Sequence, residues 1–326
     1  MKRKIAIAAG GDSGEFEISI QSATVVKEYL DTELFEPFII VFRGNDWKFT
    51  DEDGRDHSIN RDDFSLTIED QKINFDAVFI AIHGSPGEDG KLQGYFDMIN
   101  MPYTACNQST SALTFNKFFC NLLVSSLGYE VAPSLILYQG WEIEPNEIVK
   151  VTGMPCFVKP NRGGSSVGMS KVEKAEYLPL AVVKAFAEGD DVIIEGFIPG
   201  REITCGVFND HGRVRSLPIT EVITKNDFFD YEAKYTEGMA QEITPADIPE
   251  EIEKECRFIS ESLYAGLNCQ GVVRFDYIYN ESGIYFLEVN TVPGLSPKSI
   301  VPKQAGVEGL SLSQLFTIVL EEALNN

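Results

Sequence analysis

This chain predicts an N-terminal α/β domain followed by α+β structure, and three observations carry that reading. Short, predominantly apolar runs at residues 4–9, 38–42 and 77–82 have the character of strands covered on both faces of an open parallel sheet. The first run passes through Gly10-Gly11-Asp12-Ser13-Gly14 into a helical pattern with Ile18, Val25, Val26 and Tyr29 that ends near Leu30, which makes a β-turn-α unit. Beyond residue 150 the pattern changes to shorter alternating segments and a hairpin signal, with helices set apart from them.

The elements follow in order. The open α/β domain is expected to end near Ala105, and such sheets bind ligands at the carboxyl ends of their strands, so loops 10–15 and 83–84 should face one site. A helix is expected over 111–127, stopped by Gly128, and a short strand over 155–159 leads into Asn161-Arg162-Gly163-Gly164-Ser165-Ser166-Val167-Gly168. Residues 192–198 and 202–208 read as strands, the second turning at Asn209-Asp210-His211-Gly212. Residues 224–245 follow neither period and read as a long functional loop. An amphipathic helix over 250–265, a hairpin around Asn280-Glu281-Ser282-Gly283 and a last helix over 312–324 complete the chain. The expected domains are 1–105, 106–196 and 197–326.

Composition narrows the function. The 326 residues are enough for two or three domains with cores of their own. Fifty acidic against 27 basic side chains leave a net charge of −23, the wrong sign for binding nucleic acid or an anionic membrane. Six scattered cysteines form no C-x-x-C pair and read as reduced, mostly buried thiols. The apolar run after Met1-Lys2-Arg3-Lys4 meets Gly10 too early for an export signal, and no window reaches the ~18–20 apolar residues of a membrane span, so a cytoplasmic protein is expected.

Two segments could carry chemistry. In the hairpin, Glu288 and Asn290 share one strand face, and a five-residue loop over 280–284 would set Asp276 opposite Glu288. Two carboxylates and an amide oxygen in that arrangement suit Mg²⁺ and substrate phosphates, whereas three histidines and scattered cysteines do not suit zinc. The competing reading is a solvated outer hairpin face. Lys159 and the glycine-rich loop after it offer successive N–H groups to a phosphate without forming a Walker A or dinucleotide motif, and a plain Gly/Ser turn competes with that. Lys117, taken alone, reads first as a solvated surface lysine.

Taken together, these residues resemble the D-alanine–D-alanine ligases of the ATP-grasp superfamily over essentially the whole chain. The resemblance rests on Gly10 to Glu15, His83-Gly84-Ser85-Pro86-Gly87-Glu88-Asp89-Gly90 with Gln93-Gly94, Lys159 to Ser170, Asp230 to Tyr235, Arg274 to Asp276, and Glu288-Val289-Asn290-Thr291-Val292-Pro293-Gly294. It implies an ATP-grasp fold: an N-terminal open parallel α/β domain, a small central α+β domain and a C-terminal α+β domain.

The implied reaction joins two D-alanines through an acyl phosphate, releasing ADP and phosphate, for peptidoglycan precursor synthesis. ATP would be held by Lys117, Lys159, Ser165, Ser166, Glu195, Phe197, Ile198 and Glu202, with Lys234 on the γ-phosphate. Asp276, Glu288 and Asn290 would hold two Mg²⁺ ions, replaceable by Mn²⁺; activation by a monovalent cation such as K⁺ stays open. Glu15 would take the ammonium of the first D-alanine with His83 nearby, Arg274 and the Gly294 N–H the developing oxyanion, and Ser299 the carboxylate of the second. Residues 224–245 would be a lid. Its Tyr235, hydrogen-bonded with Glu15 and Ser165, favours D-alanine as second substrate; packing of Tyr235 against Phe228 or Phe229 is the alternative.

The resemblance also implies a homodimer. Asn116, where relatives often have Asp, and Phe229, where many have Tyr, depart from the pattern, and the stretch after Gly294 is variable. A D-alanine–D-lactate ligase, another ATP-grasp carboxylate–amine ligase, and a silent nucleotide- or NAD-binding protein are the competing readings.

Overall fold

The structure, a computed structural model, describes residues 2–164, 166–224 and 240–325. Its strands form three sheets. The first runs, edge to edge, Gln71–Ile73, Ser65–Ile68, Asp56–Asn60, Asp46–Thr50, Phe35–Arg43, Arg3–Gly10 and Ala77–Ile80. The three apolar strands are parallel as expected. The charge-rich stretch between them adds antiparallel strands, so this sheet is mixed rather than wholly parallel. Period-2 apolar residues explain it: Phe42, Trp47 and Phe64 gather on one side, with Phe42 and Trp47 ring centroids 4.6 Å apart.

The second sheet is antiparallel, in the order Ser170–Val172, Cys156–Pro160, Asp191–Gly196, Ser134–Tyr138. The third runs Ala240–Ile243, Thr220–Thr224, Arg201–Asp210, Val272–Asn280, Gly283–Asn290, with Arg213–Ser216 beside Arg201–Asp210. The strand Ala240–Ile243 occupies part of the expected loop 224–245; residues 225–239 lie outside the described residues.

The helix expected over 111–127 is instead two, Gln108–Phe115 and Lys117–Ser126. Asn116 breaks them with φ −91° and ψ 100°, and its side chain accepts the Phe119 N–H as an N-cap. The new helix is then fixed to the glycine-rich segment: Asn161 accepts the Lys117 N–H on its carbonyl and the Phe118 N–H on Oδ1.

The last helix, Leu312–Asn325, holds the first and third sheets together. Its Leu315, Phe316, Val319 and Leu320 are buried in one core with Ile5, Ile7 and Phe79 of the first sheet and Phe208 and Leu217 beside the third. Each such side chain contributes roughly 1.5–3 kcal/mol on burial, enough to keep the strand ends of the first sheet in place against the hairpin. All six cysteines are buried and free. No helix among the described residues is long and apolar enough to cross a membrane.

Candidate active site

Between the second and third sheets lies a cavity of about 430 Å³. It gathers Lys117 from the helix Lys117–Ser126, Lys159 from Cys156–Pro160, Ser166 from the glycine-rich loop, Glu195, Phe197 and Ile198 from the end of Asp191–Gly196, and Glu202 from Arg201–Asp210. Glu288 of the hairpin closes its inner end. Ser165 and Lys234 lie outside the described residues.

The charges in this cavity are paired and oriented. Lys159 Nζ lies 2.5 Å from Glu195 Oε2, and Lys117 Nζ donates to the Gly163 carbonyl at 2.5 Å. Burial opposes the charge on Lys159, but Glu195 and Glu288 more than offset it and raise the ammonium pKa. At the outer rim Arg201 grips Glu221 with Nε and Nη2, at 2.6 and 2.7 Å.

The hairpin sets Asp276 opposite Glu288, and Arg274 opposite Asn290. That register arises differently from the five-residue loop expected. Asn280 pairs with Gly283 around a tight turn, which on its own would bring Leu287 opposite Asp276. The register shifts between Asp276 and Tyr277, leaving Leu287 without a partner, and this bulge restores the Asp276–Glu288 pair. The two deviations cancel.

Asp276 is buried and accepts from three donors. Arg274 Nε and Nη2 reach its two oxygens at 2.8 and 2.6 Å, and Thr204 donates to Oδ1 at 2.5 Å. Burial works against the Arg274 charge, yet Asp276, with Glu288 and Glu202 behind it, outweighs burial and raises its pKa further. Arg274 is thus a fixed cation, held on the hairpin by Asp276. Asn290 Oδ1 accepts the Val292 N–H at 3.1 Å.

Beyond the hairpin the first sheet supplies the remaining groups. Glu15 is the residue before helix Phe16–Tyr29 but makes no side-chain cap hydrogen bond; a methyl built on Gly164 would sit 3.4 Å from its Oε2, so its carboxylate lies against the glycine-rich loop. His83 is buried between Ser22 Oγ on Nε2, at 2.9 Å, and the Val292 carbonyl on Nδ1, at 2.8 Å. A carbonyl only accepts, so Nδ1 carries the proton and Nε2 accepts from Ser22. Burial pushes the imidazole pKa down; Glu15 and the Val292 bond oppose that, and Arg274 adds to it. The ring is a neutral tie between the first sheet and the hairpin exit.

Glu88 makes a second tie, which the sequence reading quoted within a motif but gave no task. It accepts the Gly84 N–H at 2.8 Å and the Val292 N–H at 3.2 Å. Burial, with Glu15 next, pushes its carboxyl pKa up to about 8. Gly294 lies against Ser299: a methyl there would meet Ser299 Oγ at 2.8 Å. Ser299 stands before helix Ile300–Val307, its hydroxyl bonded to Ser296 Oγ at 2.9 Å rather than capping the helix.

Comparison with known proteins decides the family. Residues 4–106 match the model described as D-ala D-ala ligase N-terminus, and residues 123–321 the model described as D-ala D-ala ligase C-terminus. A D-alanine–D-alanine ligase of Phocaeicola vulgatus is 45% identical over 98% of this chain and 99% of its own. The chain belongs to the D-alanine–D-alanine ligase family. Among solved structures of like fold, the D-Ala:D-Ser ligase of Enterococcus faecalis aligns with a TM-score of 0.87 at 32% identity, covering 99% of this chain and 100% of its own. The D-alanine–D-alanine ligase of Bacillus anthracis complexed with ATP aligns with a TM-score of 0.80 at 26% identity, over 99% of this chain and 98% of its own.

In this ligase, sequence reasoning overlooked, besides Glu88, three residues that support the site from around the cavity. Asn161 ties the glycine-rich segment to the helix bearing Lys117, Thr204 bonds Asp276, and Asn121 donates to Glu195 Oε1 at 2.8 Å. Asn121 stands four residues after Lys117, the helical spacing that puts two side chains on one face, and that spacing was the available signal.

Proposed function

We propose that this ligase uses ATP to join two D-alanines into D-alanyl-D-alanine for peptidoglycan precursors, by way of an acyl phosphate. The observation that carries the reading is the cavity, which brings Lys117, Lys159, Glu195, Glu202 and Glu288 together, beside a glycine-rich loop against which Glu15 lies. The nucleotide lies between the sheets, its base near Glu195, Phe197 and Ile198 and its phosphates toward Lys117, Lys159 and Ser166.

The first D-alanine places its ammonium on Glu15. Its carboxylate attacks the γ-phosphate, one oxygen–phosphorus bond forms, and ADP leaves with the electrons of the bond that breaks. Activation is needed because oxide is a poor leaving group from a carboxylate, whereas phosphate leaves readily. The amine of the second D-alanine then attacks the acyl carbon. Arg274 and the Gly294 N–H stabilise the resulting oxyanion, and its collapse expels phosphate, which carries away the proton the amine loses. The carboxylate of the second D-alanine sits at Ser299, where the N–H groups opening helix Ile300–Val307 favour an anion.

Asp276, Glu288 and Asn290 fit Mg²⁺ by their donor set, two carboxylates and an amide oxygen on adjoining positions of paired strands. When bound, Mg²⁺ would neutralise phosphate charge. Lys234 and Tyr235 are read from the sequence alone as lid residues that exclude water from the acyl phosphate, with Ser165 and Tyr235 linked to Glu15. We read the enzyme as a cytoplasmic homodimer on the family resemblance; sedimentation of the purified protein tests the dimer.

Phosphate release from ATP and Mg²⁺ tests the whole reading, with D-alanine alone, L-alanine alone, and D-alanine paired with D-lactate or D-serine, the products identified by mass. D-alanine-dependent release with D-alanyl-D-alanine as product is expected. A mixed D-alanyl-D-serine product in preference would move this chain toward the Enterococcus faecalis relative, and no release in any mixture would discard the catalytic reading.

A further inference from the structure

Behind the cavity wall, Asn121 is a buried polar side chain to which the reaction above gives no task. It is 4% exposed and does not line the cavity. Its amide donates to Glu195 Oε1 at 2.8 Å while Lys159 holds Oε2 at 2.5 Å, so each carboxylate oxygen is fixed by one donor, Asn121 from behind the cavity wall and Lys159 from within it. The helix that carries Asn121 is itself fixed at its first turn by the cap from Asn116 and by the two bonds to Asn161.

A carboxylate only accepts hydrogen bonds, and the lone pairs of Glu195 left over face a cavity walled by Phe157, Phe197 and Ile198. A flat base that presents an amino group to them is matched. One that presents a carbonyl oxygen sets acceptor against acceptor and is rejected, because a polar group lost from water without a partner is costly. Lys159 lies within the same cavity as the proposed phosphate site, and as it turns toward phosphate Asn121 remains as the donor that keeps Glu195 in place.

We infer that Asn121 is the positioning residue for base selection: by fixing the Glu195 carboxylate it makes the cavity take a 6-aminopurine nucleotide in preference to a 6-oxopurine one. This rests on reading the cavity as the nucleotide site. The consequence is separable from catalysis, because Asn121 touches neither the phosphates nor the amino acids.

Initial rates with ATP and with ITP, for wild type, Asn121→Leu, Asn121→Ser and Glu195→Ala, test it. Leucine keeps the branching of asparagine at Cγ, in a larger side chain, and has no donor. Losing one hydrogen bond to a charged group should raise KM for ATP by about tenfold and narrow the ATP-over-ITP preference in kcat/KM by a similar factor. The kcat at saturating ATP and the KM for D-alanine should stay as in wild type. Serine packs in the same space with a donor too short to reach, so it should show the same shift and keeps the test open should the leucine variant not fold. Folded variants that retain the wild-type KM for ATP and the wild-type preference overturn the role of Asn121. So does a uniform loss that lowers kcat and raises the D-alanine KM as much, since that is structural damage. Should Glu195→Ala also leave the preference untouched, the reading of the cavity wall as the base site falls, and Asn121 with it; should Glu195→Ala alone abolish the preference, only Asn121 is dismissed.

Discussion

The cavity proposed for the nucleotide takes most of its walls from short runs, 157–169, 195–202, 221–224 and 285–288, and its ion pairs are matched within the second and third sheets. The end proposed for the amino acids draws on Glu15, His83, Arg274, Gly294 and Ser299, from the two ends of the chain. It depends on ties of another kind: His83 to the Val292 carbonyl spans 209 positions, and Glu88 to the Val292 N–H spans 204. The nucleotide side is local and redundant, so single changes there should weaken binding by steps. The amino-acid side is one alignment of the first sheet against the hairpin exit, so a single change should affect chemistry and fold together. Arg274 stands where the two ends meet.

Arg274→Ala should have the largest effect. It removes the proposed oxyanion donor, worth about a hundred- to a thousandfold in kcat, and leaves Asp276 buried without its bidentate partner, which costs about 3–5 kcal/mol. Activity and melting temperature should fall together. A variant that melts like wild type while losing activity would mean that Thr204 alone keeps Asp276 satisfied. Glu288→Gln comes next and should separate the two effects. Its side chain is only partly buried, so the fold should survive, while deleting one proposed Mg²⁺ charge should lower turnover by about a hundredfold or more. Normal turnover in a folded Glu288→Gln would sink the metal assignment.

Glu88 sharpens the comparison through pH. Its carboxyl pKa is about 8 in the folded chain against an ordinary 4.5, so between those values the folded state keeps a proton that the unfolded state has released. The stabilisation is complete below the ordinary value and is lost as pH rises through 8. Melting the metal-free protein at about pH 5 and about pH 9 should show wild type losing more stability on the alkaline side than Glu88→Gln, which cannot ionise. Parallel curves would show that the hydrogen bonds from Gly84 and Val292, not burial, govern this carboxyl group.

The sequence was most legible where a residue's neighbours in the chain determine its place. The three parallel strands of the first sheet show as apolar runs, and the hairpin and the helix after residue 250 by turn signal and period. The antiparallel strands between residues 46 and 73 were hidden by their charge, because at the outer part of the sheet one face is solvated and only residues such as Trp47, Ile59 and Leu66 mark the other. The Asp276–Glu288 pair was foreseen for the wrong reason, since neither the tight turn nor the bulge at Leu287 leaves a mark that residue spacing reveals. Asn121 and Glu88 were invisible as contacts because a polar residue in a helix or a glycine-rich turn is ordinary until the carboxylate or N–H it meets is known.

The smallest effect belongs to the departure at Asn116. Where the family resemblance leads one to expect Asp, this chain uses Asn to break the expected helix and cap the second one through the Phe119 N–H. Asn and Asp are comparable caps, so Asn116→Asp should change stability little, whereas Asn116→Ala should cost about 1 kcal/mol. The cap also orients Lys117 at the start of that helix, so Asn116→Ala should raise KM for ATP while leaving KM for D-alanine unchanged. Thermal melts and the two KM values check both parts. Equal rises in both KM values would show that this turn supports the amino-acid end as well, and the division between a local nucleotide side and a long-range amino-acid side would then fail at its simplest point.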